Sequence, residues 1–315
     1  MPVWPAIITV SLNPAIDRVM GVENFTLGAH QTGREVSRIP AGKAVNVSRV
    51  LAALNVRSIA TGFLGQENRA SFDSLFSNGL VSDEFFLLPG RTRENVTITD
   101  RETGQETHIR DAGLKVERRY LDRLAKKLSL LSRPLCVVIF SGSLPPGAGP
   151  EDLVRLVDVC TAAGARVAVD TSGEAIRAMV GKQLWLVKPN ATELEHLVGR
   201  KLGDLRQQLL AGRELASHVR VVLLTRGGEG ACLLTPDLAL HGRVSIGPER
   251  LRNTVGCGDV LLGAFVAGTW RGLDVRQAFV EAVACASASA CSLGTAEFDP
   301  DVVEELRSKV QVTEL

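Results

Sequence analysis

Short apolar runs alternate with longer amphipathic segments along this chain, most regularly after residue 130. "LCVVIF" (135–140), "RVAVD" (166–170), "LWLV" (184–187) and "VRVVLL" (219–224) have the length and unbroken apolar character of strands covered on both faces. Between them, "EDLVRLVDVCTAAG" carries Leu153, Leu156, Val157 and Cys160 on one helical face and stops at Gly164. "AIITVSL" opens the pattern near the N-terminus and "VRSIATGFLG" adds a further strand. Strand–helix alternation of this kind predicts an α/β fold: a doubly wound, mainly parallel sheet with helices on both faces.

Residues 14–38 and about 86–112 break the rhythm. They are polar and rich in β-formers, and "NVTITDRETGQETHIRD" reads as a hairpin turning near Thr103-Gly104. We expect a single domain over 1–315 in which these two insertions build a small β-sheet lid; an ordinary edge hairpin is the plainer alternative. Almost every predicted strand runs straight into polar or glycine-rich residues: "SLNPAID", "SGSLPPG", "DTSG", "KPNATE" and "TRGGEG". In an open parallel sheet, ligands bind beyond the C-terminal strand ends, so these segments are expected to converge on one crevice.

Composition narrows the partners. With 36 Lys and Arg against 35 Asp and Glu, the net charge is +1, which removes the electrostatic case for nucleic acid or a membrane surface. Six cysteines are scattered without a C-x-x-C pair, mostly in apolar company, as expected of buried thiols in a reducing compartment. The five histidines show no metal-site spacing. "MPVWPAIITV" lacks a basic leader and no apolar run reaches membrane-spanning length, so a cytoplasmic location is expected.

The most informative stretch is "NTVGCGDVLLGAF" (253–265). A glycine turn entering a helix aims unpaired main-chain N–H groups at one point, where the helix dipole also favours negative charge. An acid placed there sets a proton acceptor beside a bound anion. For phosphorylation of a hydroxyl, the amides of Gly256, Cys257 and Gly258 would neutralise the transferred phosphoryl group, and Asp259 would take the hydroxyl proton. An acid in a first helical turn is also an ordinary stabilising residue, so this stretch alone does not separate the two readings.

The stretch resembles the C-terminal signature of the ribokinase-like (PfkB) sugar kinases. The resemblance runs nearly the full chain, through "TVSLNPAID", "AGKAVNVSRVLAALN", "GFLGQEN", "GRTRENV", "SGSLPPG", "DTSGEA", "WLVKPNATELEHLVGRKL" and "GGEGA". It implies ATP-dependent phosphorylation of a sugar phosphate with Mg²⁺, and "AGK" with "GRTRENV" points to fructose 1-phosphate as acceptor. Tagatose 6-phosphate and fructose 6-phosphate are the near alternatives, and a catalytically weak sugar-phosphate-binding paralogue is a more distant one. A dinucleotide-dependent oxidoreductase ranks last, because G-x-G-x-x-G does not follow the first strand.

The same resemblance assigns the remaining roles. Asp17 would accept bonds from sugar hydroxyls, with Gly42, Lys43 and Asn46 at a helix start beside it. Arg93 would grip the sugar's existing phosphate with its fork of donors, whereas Arg91 reads as solvated. Ser141 offers a hydroxyl at a strand end. Lys188, Asn190, Glu193, Thr225, Gly227 and Thr254 would line the nucleotide site, with Glu193 approaching Mg²⁺ through water. Asn190 and Glu193 also form a plain capping-box pattern after Pro189. Asn13 reads as a turn former. A homodimer through the lid is implied as well. Four positions depart from the family: Ala44 for glycine, Cys257 for alanine, Val260 for serine, and Arg226 in the nucleotide loop. A thiol at a helix N-terminus is expected to have a depressed pKa.

Overall fold

The computed structural model describes residues 6–315; the first five residues, on which part of the leaderless N-terminus expectation rests, lie outside the described residues. The first half runs β1 (Ile7–Ser11), β2 (Ala15–Val22), β3 (Arg34–Ala41), α1 (Lys43–Ala53), β4 (Ser58–Gly65), α2 (Asp73–Phe76), β5 (Val81–Leu88), β6 (Arg93–Asp100) and β7 (Glu106–Ile109). Then come α3 (Arg118–Leu131), β8 (Val137–Ser141), α4 (Pro150–Ala162), β9 (Arg166–Asp170), α5 (Gly173–Arg177), β10 (Leu184–Val187), α6 (Ala191–Val198) and α7 (Leu205–Ala216). The chain closes with β11 (Val219–Thr225), β12 (Ala231–Leu234), β13 (Ala239–Arg243), α8 (Cys257–Trp270), α9 (Val275–Ala290), α10 (Pro300–Arg307) and β14 (Gln311–Glu314).

One sheet holds ten strands in the order β14-β13-β12-β11-β10-β9-β8-β1-β4-β5. From β11 to β5 every pairing is parallel, and β12 to β14 add an antiparallel edge. Residue parity explains the two-sided cover. Ile8, Val138, Phe140, Val222 and Leu224 pack with α3, α4, α6 and α7 on one face. Ile7, Val137, Ile139, Val221 and Leu223 pack with α1, α8, α9 and α10 on the other. Strands buried on both faces carry no polar alternation, which is why their apolar runs are legible in the sequence.

A second sheet, ordered β3-β2-β6-β7, stands apart from the first. β2 pairs antiparallel with β3 and parallel with β6, while β6 and β7 form a hairpin whose turn holds Gly104 at φ 71°. Its strands do not coincide with the 14–38 and 86–112 bounds: β3 continues to Ala41, and residues 86–88 belong to β5 of the large sheet. Only Leu12, Asn13 and Pro14 separate β1 from β2, and Gly42 alone separates β3 from α1. The root of the small sheet therefore stands at the C-terminal end of the central strand. Gly42 is required at this crossing, because its φ is 103° and a Cβ would lie 3.1 Å from Pro14 Cα. Ile16, Val45, Ala60, Leu64 and Phe72 fill the space beneath the root.

Candidate active site

Gly256 caps α8 in the left-handed conformation (φ 85°, ψ −8°). A side chain there is excluded twice over, since a Cβ would also come within 2.8 Å of Ala296 N. Past the turn, α8 is apolar nearly all round and buried continuously from Asp259 to Gly268. A helix of that pattern must run through the interior, so the acid in its first turn is drawn inside with it. Asp259 is only 6% exposed, and Asn46 Nδ2 donates to its Oδ2 at 2.8 Å. Burial, and then the negative charge of Asp170, push the Asp259 carboxyl up to about 6. It is thus ionised at neutral pH yet basic enough to take a proton.

Asp170, at the end of β9, is fully buried between two lysines. Lys43 Nζ donates to Oδ1 at 2.9 Å, Lys188 Nζ lies 3.3 Å from Oδ2, and Ser141 Oγ donates to Oδ2 at 3.1 Å. Burial alone would raise the Asp170 pKa; Lys188 and then Lys43 outweigh it and hold the carboxyl below the usual range. Burial likewise works against the charge on Lys43, but Asp170 raises its pKa overall. Lys188 also reaches the mouth of α8: a Cβ on Gly258 would sit 3.3 Å from Lys188 Nζ. Two ammonium groups, the first-turn amides of α8 and one basic carboxylate therefore share one locality. Sequence reasoning missed Asp170. The available signal was an acid closing the otherwise apolar "RVAVD", since a carboxylate patterned into a core requires a cation.

On the side of the small sheet, Asp17 is half-buried on β2 and accepts a bond from Asn95 Nδ2 at 2.8 Å. Asn46 Oδ1 is buried and without a hydrogen-bond partner, an acceptor left over beside Asp259. Arg93 starts β6 opposite Ala15, and its guanidinium donates to three main-chain carbonyls: Pro14 at 3.2 Å, Asp111 at 3.0 Å and Asn13 at 2.9 Å. Those bonds take three of its five N–H groups, so Arg93 fastens the root of the small sheet before it meets any ligand. Asn13 does more than form a turn, since its Nδ2 also reaches Ala112 O, Ser143 Oγ and Leu144 O. Arg91 is exposed and pairs with Glu94.

On the opposite side, Asn190 and Glu193 make the predicted capping box with two 2.8 Å bonds. Glu193 Oε2 is used in it, and its other oxygen remains. Thr225 N donates to Pro189 O at 3.0 Å, which aligns the β10 and β11 ends, and Gly227 is exposed at φ 57° just beyond. Thr254 is exposed, and its carbonyl accepts from Cys257 N at 3.4 Å, so that one amide of the turn is partly committed. Among the described residues, no group of three or more His, Cys, Asp and Glu side chains is arranged to hold a metal ion.

The departures resolve differently. Ala44 is buried inside the first turn of α1, and the position needing positive φ is Gly42, so its methyl strains nothing. Val260 is fully buried in apolar company, where no hydrogen bond is missing. The expectation of a depressed Cys257 pKa fails: burial pushes the thiol up, against the lowering effect of Ser289. Arg226 turns away to Gln208 Oε1 and Glu229.

Among known proteins, the chain is similar to the 1-phosphofructokinase of Haemophilus influenzae (30% identity, 98% of each chain covered) and to that of Rhodobacter capsulatus (38% identity, 86% of each). Its fold matches phosphofructokinase-2 from Escherichia coli with a TM-score of 0.90 at 24% identity, covering 97% of this chain and 99% of that one. Among the described residues no helix is long and apolar enough to cross a membrane. The pfkB family carbohydrate kinase model matches residues 10–302, nearly the whole chain, and on that match the protein belongs to the pfkB family of carbohydrate kinases.

Proposed function

We propose that this chain transfers the γ-phosphoryl group of ATP to the 6-hydroxyl of fructose 1-phosphate, giving fructose 1,6-bisphosphate. The observation that carries the reading is the buried Asp259 carboxylate beside the α8 amides and Lys188. Asp259 accepts the hydroxyl proton as the oxygen attacks phosphorus, and Asn46 holds the acceptor oxygen pair in place. Lys188 and the Gly256 and Gly258 amides face the charge that spreads over the equatorial oxygens. Asp17, Gly42 and the spare acceptor on Asn46 orient the sugar hydroxyls. Lys43 and the two free N–H groups of Arg93 hold the existing phosphate. Ser141 supports Asp170, which keeps both lysines pointed inward. Thr225, Gly227 and Thr254 line the nucleotide side.

The residues suit Mg²⁺ bound as a nucleotide complex, since this ion keeps several waters and needs only one or two carboxylates. Glu193 retains one carboxylate oxygen at the capped start of α6 and would hold the hydrated ion. When bound, Mg²⁺ would neutralise charge on the β- and γ-phosphates. Ala44 and Val260 are both buried without strain or a lost hydrogen bond, which supports an active kinase over a catalytically weak paralogue. A coupled assay with fructose 1-phosphate, tagatose 6-phosphate and fructose 6-phosphate tests the reading. Fructose 1-phosphate is expected to show the highest kcat/KM; a clear preference for either other sugar would overturn the substrate, and binding without turnover would overturn the activity.

A further inference from the structure

Gly256, the pivot of the α8 turn, rests on a segment that belongs to no helix or strand. A Cβ at Gly256 would meet Ala296 N at 2.8 Å, Ala296 Cβ at 3.0 Å and Thr295 Cγ2 at 3.1 Å. The nearest of these atoms is main chain and the other two are the first atoms of short side chains, so a shift of residues 295–296 toward the turn would press on it. Ala296 itself sits at φ 53°, a conformation that costs a non-glycine residue about 1 kcal/mol and persists only if something holds it. Neighbouring ties exist further up: Arg252 N donates to Ala290 O at 2.9 Å, and Asn253 Nδ2 donates to Leu293 O at 3.1 Å. At 295–297 the tie comes from elsewhere. Arg49 Nη1 donates to Thr295 O at 3.1 Å, and Nη2 pairs with Glu297.

Arg49 lies on α1 three residues after Asn46, on the same face of the helix. One face of α1 thus reaches α8 twice: Asn46 bonds the Asp259 carboxylate, and Arg49 braces the segment under Gly256. The two helices are locked further on, where Gly263 lies so close to Val50 that a Cβ would come within 2.7 Å of it. We infer that Arg49 is a positioning residue for phosphoryl transfer: by fixing the Thr295 carbonyl it holds the α8 amides in register with Asp259. This rests on the kinase reading above, in which those amides receive the phosphoryl oxygens.

The test compares Arg49→Ala, Arg49→Lys and Glu297→Gln with wild type in kcat, KM for fructose 1-phosphate, melting temperature, and affinity for MgADP with aluminium fluoride as a transition-state mimic. Misplacing the amides by about 1 Å is worth about 100-fold, so Arg49→Ala is expected to lower kcat by roughly 10- to 100-fold. Its KM for fructose 1-phosphate should stay within about threefold, because the sugar contacts are untouched. Affinity for the mimic should fall in step with kcat. Arg49→Lys is expected to recover part of the loss, since an ammonium reaches one carbonyl without forming a fork. Glu297→Gln should remain near wild type, because the bond to Thr295 survives. The inference is overturned if Arg49→Ala keeps kcat within twofold, if its loss appears in KM instead, or if Glu297→Gln loses as much. A fully active Arg49→Ala beside an inactive Asp259→Asn sinks this inference alone; an active Asp259→Asn sinks the kinase reading beneath it.

Discussion

Asp259 and Asp170 divide between them two uses of a buried carboxylate. Asp170 is neutralised by two ammonium groups and stays charged, whereas Asp259 has a single amide partner and is pushed up to about 6. As a base, Asp259 works in its ionised form, so kcat is expected to rise with pH to about 6 and level off above it. Asp170→Asn removes the like charge that raises Asp259 and frees two cations nearby. The acid limb of the pH profile should therefore move to lower pH while kcat falls; an unmoved limb would contradict the coupling.

Stability follows from the same shift. The folded pKa exceeds the ordinary 3.8, so the benefit of folding is full below that value and is lost as pH rises through about 6. A shift of that size corresponds to about 3 kcal/mol. Asp259→Asn is expected to melt above wild type at pH 8 and to lose that advantage below pH about 4, as differential scanning calorimetry would show. At this scale the sequence displayed Asp259, Lys188 and the capping box, because their motifs are contiguous. It hid Asp170, whose meaning depends on lysines distant in the chain, and it misread Cys257, because burial is a tertiary property.

Among the elements, α8 and the root of the small sheet carry the site. Gly256→Ala would place a methyl against Ala296 N in a left-handed backbone. It should cost at least about 1 kcal/mol in conformation alone and more through the clash, with both melting temperature and kcat lowered. A variant of unchanged stability and activity would show that the turn is looser than described. Arg93→Ala should do more than raise KM for the sugar phosphate. With the carbonyls of Asn13, Pro14 and Asp111 released, amide exchange in residues 15–41 and 93–109 is expected to speed up, and unchanged exchange would reduce Arg93 to a ligand contact.

Strands β9 and β10 match the runs read for them residue for residue, since cover on both faces leaves their centres unbroken apolar stretches, even though β9 ends on the ion-paired Asp170. β5 and β14 escaped notice for the opposite reason. Each lies at an edge of the large sheet with largely exposed or half-buried residues, and pairing with a neighbour, rather than any pattern of its own, makes it a strand.

At the level of the whole molecule, strand–helix alternation announced the doubly wound sheet, and the polar strand ends announced the meeting of Ser141, Asp170 and Lys188. On the small sheet Val36 and Ile109 are exposed at 56% and 55%, and Leu27 in the loop joining β2 to β3 at 93%, which suits a self-complementary contact between two copies. If that sheet pairs two protomers, Ile109→Asp should convert a dimer to a monomer in sedimentation; a wild-type monomer would contradict the reading. Such pairing would help exclude water from the crevice, so the monomeric variant should also hydrolyse more ATP per sugar phosphorylated.

The most direct test of the whole scheme lies at one atom pair. Asp259→Asn, assayed with fructose 1-phosphate and MgATP alongside calorimetric titration of the sugar phosphate, is expected to bind the sugar as wild type does. Its turnover should fall by about 10²- to 10⁴-fold, the usual worth of a general base. Turnover within tenfold of wild type, with binding intact, would contradict the assignment of Asp259 and with it the account of the site.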